Sequence, residues 1–164
     1  MQNVLWQAML TIMLSTRVAA DVRRTPSDIG ALGALVGEWQ SDTTAGVSAR
    51  TFCAWTPRRS SMLCEMRIDA PAGQSTALSL FSSDSATGQF VLHVLSRPAD
   101  TMQPVTLVIR GNLWYYGGQT ASGDGRFYRT VNDFSRADVY YWRQESSVDG
   151  QQWTEGIHGQ SRRI

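Results

Sequence analysis

Two arginines flank two aromatic residues in the segment RFYR, which begins at Arg126. On a β-strand, Arg126 and Tyr128 would share one face and Arg129 would lie on the other. A guanidinium beside a phenol suits an anionic group, because arginine donates two parallel hydrogen bonds to a carboxylate. Arg129 together with Arg143, on the next predicted strand, is an equally good candidate anion anchor. The alternative is that these arginines are solvated on the outer surface.

A second set of side chains suits an apolar ligand. Trp55, Met62 and Met66 fall on one face of a predicted hairpin, and Glu65 falls on the other. Methionine and tryptophan are well suited to line cavities for apolar or aromatic molecules. The alternative is ordinary core packing, which any apolar interior requires.

Two predicted strands carry aromatic residues on both faces. The segments LWYY and VYYW contain Trp114, Tyr116 and Tyr141. One face of each strand must point outward or lie at a mouth. The pattern therefore indicates either an aromatic rim around a cavity or the ordinary preference of aromatic residues for strands. All three residues are candidates for ligand binding.

The chain has two histidines, His93 and His158. Either could be the axial ligand of a haem-binding barrel, and each also fits as a structural histidine. No cluster of thiolates or carboxylates accompanies them, so no zinc site is predicted. The sequence contains no nucleophile elbow, zinc-protease helix, phosphate loop or dinucleotide fingerprint. We therefore assign no catalytic residue, no metal and no cofactor.

The cysteines flank a predicted turn. If the segment AWTPRRSSML turns at Arg58 and Arg59, Cys53 falls opposite Cys64 on the neighbouring strand. The same register places Trp55 opposite Met62 and Thr51 opposite Met66. Directly opposed antiparallel residues are close enough for a disulfide after a small local twist. The alternative is a pair of buried free thiols.

The remaining pattern predicts one short α-helix followed by strands. Thr25 can cap a helix over Pro26–Val36, which Gly37 would end. About ten short strands follow, separated by turns and without crossover segments, so the sheet should be antiparallel. Consecutive antiparallel strands in this number most naturally close into an up-and-down barrel, because closure removes the edges. The predicted fold class is therefore all-β.

The composition and the first residues suggest an exported single domain. With 164 residues, 42% of them hydrophobic, and a net charge of +1, the chain fits one folded domain and no dedicated nucleic-acid binder. Residues 1–20 resemble a signal peptide that would be cleaved before Asp21, leaving residues 21–164 as one barrel domain. The apolar run is too short for a stable membrane anchor. We expect a periplasmic or secreted monomer or homodimer.

The helix that runs into Gly37-x-Trp39, followed by consecutive antiparallel strands, resembles the calycin superfamily of lipocalins and fatty-acid-binding proteins. The resemblance implies that Trp39 packs across the closed end of the barrel under an arginine from the chain's end. Arg162 or Arg163 is suitably placed, and Arg162 is the predicted partner.

The segment DVYYWRQESSVDGQQW is similar to the penultimate hairpin of small exported bacterial families with lipocalin-like barrels. The whole resemblance spans roughly residues 32–163. Fatty-acid-binding proteins hold a carboxylate with an inward Arg-x-Tyr pair. Arg126-x-Tyr128 is similar to this pair in residue type. It differs in position, because the family's pair lies on the final strand.

Three functions follow as hypotheses. The first is an exported barrel that binds a small hydrophobic or amphipathic molecule without transforming it. The second is a lipocalin-like cavity enzyme, an isomerase or cyclase acting on a hydrophobic substrate, for which no portable motif exists. The third is an envelope protein-interaction module whose barrel is filled by side chains. Because a fold of this kind supports many functions, the choice depends on the site.

Overall fold

A computed structural model describes one short helix and ten strands. The described residues are 28–43, 46–84, 86–97 and 101–164, without the side chains of 96–97, 101–103 and 120–121. The predicted leader (1–20), its cleavage point at Asp21 and the predicted cap Thr25 lie outside them. A short helix at Ile29–Leu35 is followed by β1 (Gly37–Thr43), β2 (Ser48–Trp55), β3 (Met62–Ala70), β4 (Gly73–Asp84), β5 (Gln89–Arg97), β6 (Thr101–Arg110), β7 (Leu113–Ala121), β8 (Phe127–Asp133), β9 (Val139–Ser147) and β10 (Thr154–Arg163).

The sheet is a closed barrel of ten antiparallel strands. Each strand pairs with the next one along the chain, and β1 pairs with β10 to complete the ring. This confirms the predicted all-β, up-and-down barrel and is consistent with a calycin-like fold. Within the described parts of the chain, no helix is long and apolar enough to cross a membrane.

The hairpin of β2 and β3 has the predicted register. Cys53 pairs with Cys64, Trp55 with Met62 and Thr51 with Met66. The two cysteines form a disulfide with their Cα atoms 4.1 Å apart. Along β3, apolar residues alternate with charged ones, so Cys64 and Met66 face the interior whereas Glu65 faces solvent.

The helix is a 3-10 helix and not the predicted α-helix. Ile29, Leu32 and Leu35 are three residues apart, and a helix with three residues per turn aligns them toward the barrel. Two glycines within these seven residues further weaken the α-helical preference. The Asp28 carboxylate accepts a hydrogen bond from the Gly30 amide at 2.9 Å and so caps the helix.

The helix covers one end of the barrel, which we call the closed end. Leu32 is fully buried there, and the Trp39 indole donates a hydrogen bond to the Leu35 carbonyl at 2.9 Å. Aromatic rings fill the space above the helix. Their centroids are separated by 5.0 Å for Trp39 and Tyr140, 4.7 Å for Tyr140 and Phe134, and 4.4 Å for Phe134 and Trp114. The opposite end, which we call the open end, has no comparable aromatic layer among the described residues.

Strands β6 and β7 pair over only part of their length. Their ladder runs from the Arg110–Leu113 pair to the Leu107–Tyr116 pair and stops there. Beyond it, Gly117 and Gly118 take positive φ angles of 80° and 87°, and the ladder of β7 with β8 is irregular between Gly117 and Ala121. Only glycine adopts such angles without strain. Beyond the Leu107–Tyr116 pair, β6 and β7 are therefore not joined by a ladder, although both strands continue.

Candidate ligand-binding cavity

The barrel contains a cavity of about 970 Å³ that is open to solvent. It lies between the aromatic layer of the closed end and the open end. Most of its wall comes from small or apolar side chains that alternate inward along the strands. Those on β3 to β5 are Cys64, Met66, Ile68, Ala77, Ser79, Phe81, Leu92 and Val94. Inward and outward side chains alternate along each strand, and the inward ones are mostly apolar. The interior of the barrel is therefore largely apolar.

The floor of the cavity carries bonded hydroxyl groups. The Ser41 and Ser161 hydroxyls lie 2.5 Å apart across the β1–β10 pair. Burial raises the pKa of the Tyr140 phenol above its ordinary value, although hydrogen bonds with Ser161 and Ser41 act in the opposite direction. These groups therefore stay neutral around neutral pH and satisfy one another.

Tyr116 is a second buried phenol in the cavity wall. Burial, and then the nearby Tyr140, raise its pKa well above the ordinary value, while a hydrogen bond with Asn132 acts against this shift. Tyr116 is consequently a neutral hydroxyl at any physiological pH. It offers the cavity a hydrogen-bonding group without a charge.

Among the buried polar side chains of the described residues, Thr51 alone lacks a hydrogen-bond partner. Its side-chain oxygen is buried and has no hydrogen-bond partner within the protein. Thr51 also lines the cavity. Because an unsatisfied buried hydroxyl costs free energy, this oxygen is a natural partner for a polar atom inside the cavity.

The three apolar candidates of the β2–β3 hairpin, Trp55, Met62 and Met66, occupy different positions. Met66 lines the cavity, as does the disulfide. Met62 is fully buried in the core cluster, and Trp55 packs against that cluster. Met62 and Trp55 therefore support the wall and are not part of its surface.

The aromatic runs do not form a single rim. Trp114 is buried in the aromatic layer of the closed end, which corrects its placement at a mouth. Tyr116 lines the cavity, whereas Tyr141 is about half exposed on the outer face. Trp142, its neighbour in the chain, takes the inward position.

Arg126 and Tyr128 do not form an inward pair. Arg126 precedes β8 and is exposed, and it is not among the cavity residues. The Tyr128 phenol lies at the cavity wall and donates a hydrogen bond to the Asp124 carboxylate at 2.7 Å. This bond is the main reason that the pKa of Asp124 is lowered and that of Tyr128 is raised. The comparison with an Arg-x-Tyr carboxylate clamp therefore fails at Arg126.

Arg129 and Arg143 do come together, around Glu145. The Arg129 Nε lies 2.5 Å and the Arg143 Nε 2.6 Å from the two oxygens of the Glu145 carboxylate, which is buried on the outer face. Burial by itself would raise the pKa of Glu145, but the hydrogen bonds and charges of the two arginines outweigh it and lower the pKa. The carboxylate therefore remains ionised and holds both guanidinium groups in place.

Trp153 lies over Arg129, with the guanidinium carbon 3.8 Å from the ring centroid. The guanidinium carbon of Arg129 also lies 5.2 Å from the centroid of the Tyr115 ring, and that of Arg110 lies 5.6 Å from the same centroid. These four side chains border a cleft of about 140 Å³ on the outer face, which we call the arginine cleft.

The sequence predicted Arg129 but missed Trp153 and Glu145. The turn after β9 brings Trp153 back over the sheet, because the Asp149 carboxylate accepts hydrogen bonds from the amides of Gln151 at 2.8 Å and Gln152 at 2.9 Å. The sequence feature that could have pointed to Trp153 is the Asp-Gly pair that precedes it. It indicated a turn without indicating where the tryptophan would pack.

Arg163, and not the predicted Arg162, lies over Trp39. Its guanidinium carbon is 4.3 Å from the indole centroid. Arg162 pairs with Gln40 and is exposed, since adjacent residues of a strand point to opposite faces. Gly37 is required beside this contact. Its φ is +114°, and a Cβ there would lie 2.7 Å from an Arg163 nitrogen.

The two histidines do not line the cavity. His158 lies 3.0 Å from the Glu155 carboxylate on the exposed surface. Within the described residues, no three histidine, cysteine or acidic side chains are grouped so as to hold a metal ion.

Comparison with known proteins adds no relative. No protein-family model matches the chain, and no curated protein matches it significantly.

Proposed function

We propose that this protein is an exported barrel that binds a small hydrophobic or amphipathic molecule in its interior without transforming it. The observation that carries the proposal is the cavity of about 970 Å³. Pockets for small molecules typically have volumes of about 300–1,000 Å³.

The chemistry of the wall supports the ligand class. Met66, Ile68 and Val94 offer apolar contact surface, which stabilises a ligand roughly in proportion to the apolar area removed from water. Thr51 and Tyr116 add hydroxyl groups that can bond one polar atom of the ligand. A mainly apolar molecule with a single polar group fits this arrangement.

The disulfide supports export. A bridge between Cys53 and Cys64 persists in oxidising compartments such as the bacterial periplasm and is rare in the cytosol. A signal peptide at residues 1–20 would deliver the chain there.

The cavity enzyme is the second candidate. Tyr116, bonded to Asn132, and Tyr140 are neutral phenols near the cavity, and such groups can orient a reactive substrate. An isomerase or cyclase would release an altered molecule, whereas a carrier would return it unchanged. The filled interaction module is less well supported, because it requires a barrel without free interior space.

Native mass spectrometry of the protein made with its own leader in a bacterial host tests ligand and export together. We expect a chain that begins at Asp21 and is lighter than the reduced chain by the two hydrogens of the disulfide. We also expect an added mass that is lost on denaturation. A full-length, reduced and empty protein would contradict the proposal.

A pair of variants on β4 tests whether the cavity is the site. Ala77 faces the cavity, and Thr76 beside it is exposed on the outer face. Ala77→Trp should fill part of the cavity and weaken binding of a fluorescent apolar probe such as 1-aminoanthracene by more than about tenfold. Thr76→Trp adds the same ring outside and should leave binding unchanged. Equal binding by both variants would place the probe elsewhere.

A further inference from the structure

The arginine cleft is a concentration of positive charge on the outer face of the barrel. Its lining contains two arginines, Arg110 and Arg129, and no acidic residue. The whole chain has a net charge of only +1, so this imbalance is local. A concave surface lined by charge of one sign attracts ions of the opposite sign. The cleft is therefore suited to an anion.

Arg129 is held in place at the cleft by its neighbours. Its Nε donates a hydrogen bond to the Glu145 carboxylate at 2.5 Å, and its guanidinium carbon lies 3.8 Å from the centroid of the Trp153 ring. A guanidinium has five N–H donors, and the bond from Nε uses only one of them. Because the side chain is already ordered, it would lose little conformational entropy on binding an anion.

Arg110 supplies the second positive charge and is exposed. Among the described residues it lies near the Tyr115 ring, and no carboxylate forms an ion pair with it. An anion in the cleft would consequently gain a charge-assisted hydrogen bond from Arg110 without displacing a carboxylate of the described chain. Such bonds are about twice as strong as bonds between neutral groups.

The backbone of β7 brings Trp153 and Arg129 together at the cleft. A Cβ on Gly118 would lie 3.1 Å from the Trp153 ring and 3.3 Å from the Arg129 Cβ, and the φ angle of Gly118 is +87°. Glycine is thus required there, because any side chain would push both residues away.

The size of the cleft limits what it can hold. Its volume is about 140 Å³, whereas pockets for drug-sized molecules begin at about 300 Å³. The cleft therefore accommodates a single compact group.

We propose that the arginine cleft is a second binding site, which takes a compact oxyanion between Arg110 and Arg129. The oxyanion is a carboxylate or phosphate group of a small soluble compound, since guanidinium groups match the oxygens of both. The site lies on the outer face and is independent of whether the cavity is occupied.

A nuclear magnetic resonance titration of the ¹⁵N-labelled protein at constant ionic strength tests the site. The probes are inorganic phosphate, acetate and acetamide, which has the shape of acetate without its charge. We expect at least one anion to shift the Trp153 indole N–H and the Gly118 and Gly150 amides to saturation, and acetamide to shift none of them. The preferred anion distinguishes a phosphate site from a carboxylate site. Equal shifts with acetate and acetamide, or no saturable shift with either anion, would overturn the proposal.

Variants of exposed arginines show whether the cleft is responsible. Arg110→Gln should weaken binding of the preferred anion about five- to tenfold, and Arg110→Lys should lose less because it keeps the charge. Arg67→Gln is the matched control, since Arg67 lies on β3 with its side chain 73% exposed, and it should leave the affinity unchanged. Equal weakening in Arg67→Gln and Arg110→Gln would indicate general attraction to surface charge and contradict a specific site.

Binding of 1-aminoanthracene separates this proposal from the proposed function. We expect Arg110→Gln to bind this probe as the wild type does, because Arg110 does not line the cavity. If the probe binds and the anions do not, the outer site is wrong while the binding function stands. If the anions bind and the probe does not, the reverse holds.

Discussion

The guanidinium of Arg163 lies over the indole of Trp39 and ties the last strand of the barrel to the first. The same side chain donates hydrogen bonds to the Val36 carbonyl and, at 3.2 Å, to the Ala34 carbonyl. Arg163 thus contacts both the strand that closes the sheet and the helix segment that covers its end. One residue connects three parts of the closed end.

Arg163→Ala should therefore destabilise the barrel. We expect a loss of about 1–3 kcal/mol in the free energy of unfolding, from the lost stacking and from carbonyl groups left without a donor. Urea denaturation followed by tryptophan fluorescence measures it. Arg162→Ala is the control, since Arg162 is exposed and should change stability by less than about 0.5 kcal/mol. Similar losses in both variants would argue against the stacking contribution.

The disulfide should contribute strongly to stability. Cys53 and Cys64 close a short loop, with a sequence separation of 11, so the Cys53→Ala, Cys64→Ala double variant should lose about 2–4 kcal/mol. Both cysteines are buried, so we expect the folded wild type to resist thiol reductants until it unfolds. Urea midpoints with and without reductant test both statements. Equal midpoints for wild type and double variant would contradict the first.

Glu145 should make stability depend on pH. Its pKa in the folded protein is lowered, so the ionised carboxylate contributes stability that is present above the unfolded pKa of about 4.3 and is lost as the pH falls through the folded value. Glu145→Gln removes this contribution. We expect the variant to lose about 1–3 kcal/mol near neutral pH and the difference from wild type to shrink on acidification.

Unfolding free energies measured from neutral pH down to about pH 3 test this dependence. Other lowered carboxyl pKa values in the chain, such as that of Asp149, affect wild type and variant alike and cancel in the difference. Glu65→Gln is the control, because the Glu65–Arg67 pair is exposed and should contribute less than about 1 kcal/mol. A difference that grows on acidification would contradict the assigned sign.

Removing either of two hydroxyl groups of the cavity should have different effects on the stability of the protein. Thr51→Val deletes a buried oxygen without a partner in the protein, so stability should stay within about 0.5 kcal/mol of wild type or rise. Ser41→Ala leaves Ser161 and Tyr140 short of a partner and should cost about 1–2 kcal/mol. Thermal unfolding of both variants measures the contrast. A larger loss in Thr51→Val would show that its hydroxyl is already satisfied.

Local features made the fold predictable. The β2–β3 register followed from one turn and the period of two along each strand, and it brought Cys53 opposite Cys64 as predicted. The number of strands followed from the turn residues between them. The helix type was missed because a spacing of three or four is compatible with both helix forms, whereas Leu32 and Leu35 pack with a spacing of three.

The candidate site was predictable only in part, because it depends on distant segments. Which of Arg162 and Arg163 faces inward is decided by the β1–β10 register, which no local turn fixes. The position of Arg129 depends on Glu145 from β9 and on Trp153 from the following turn. The ladder of β6 with β7 ends at the Leu107–Tyr116 pair although both strands continue. That outcome is not evident from either strand alone.

The pairing of β1 with β10 differs from the other nine in the distance it spans along the chain. Ser41 and Ser161 are 120 residues apart, whereas the strands of every other neighbouring pair are consecutive in the chain. The entropy of loop closure rises with this length, so joining the first and last strands should be a late step of folding. Until β10 docks, the sheet is an open ribbon and the interior is not enclosed. A ligand of the proposed kind would therefore meet a complete cavity only after β10 has docked, and its binding would slow the reopening of the seam between β1 and β10.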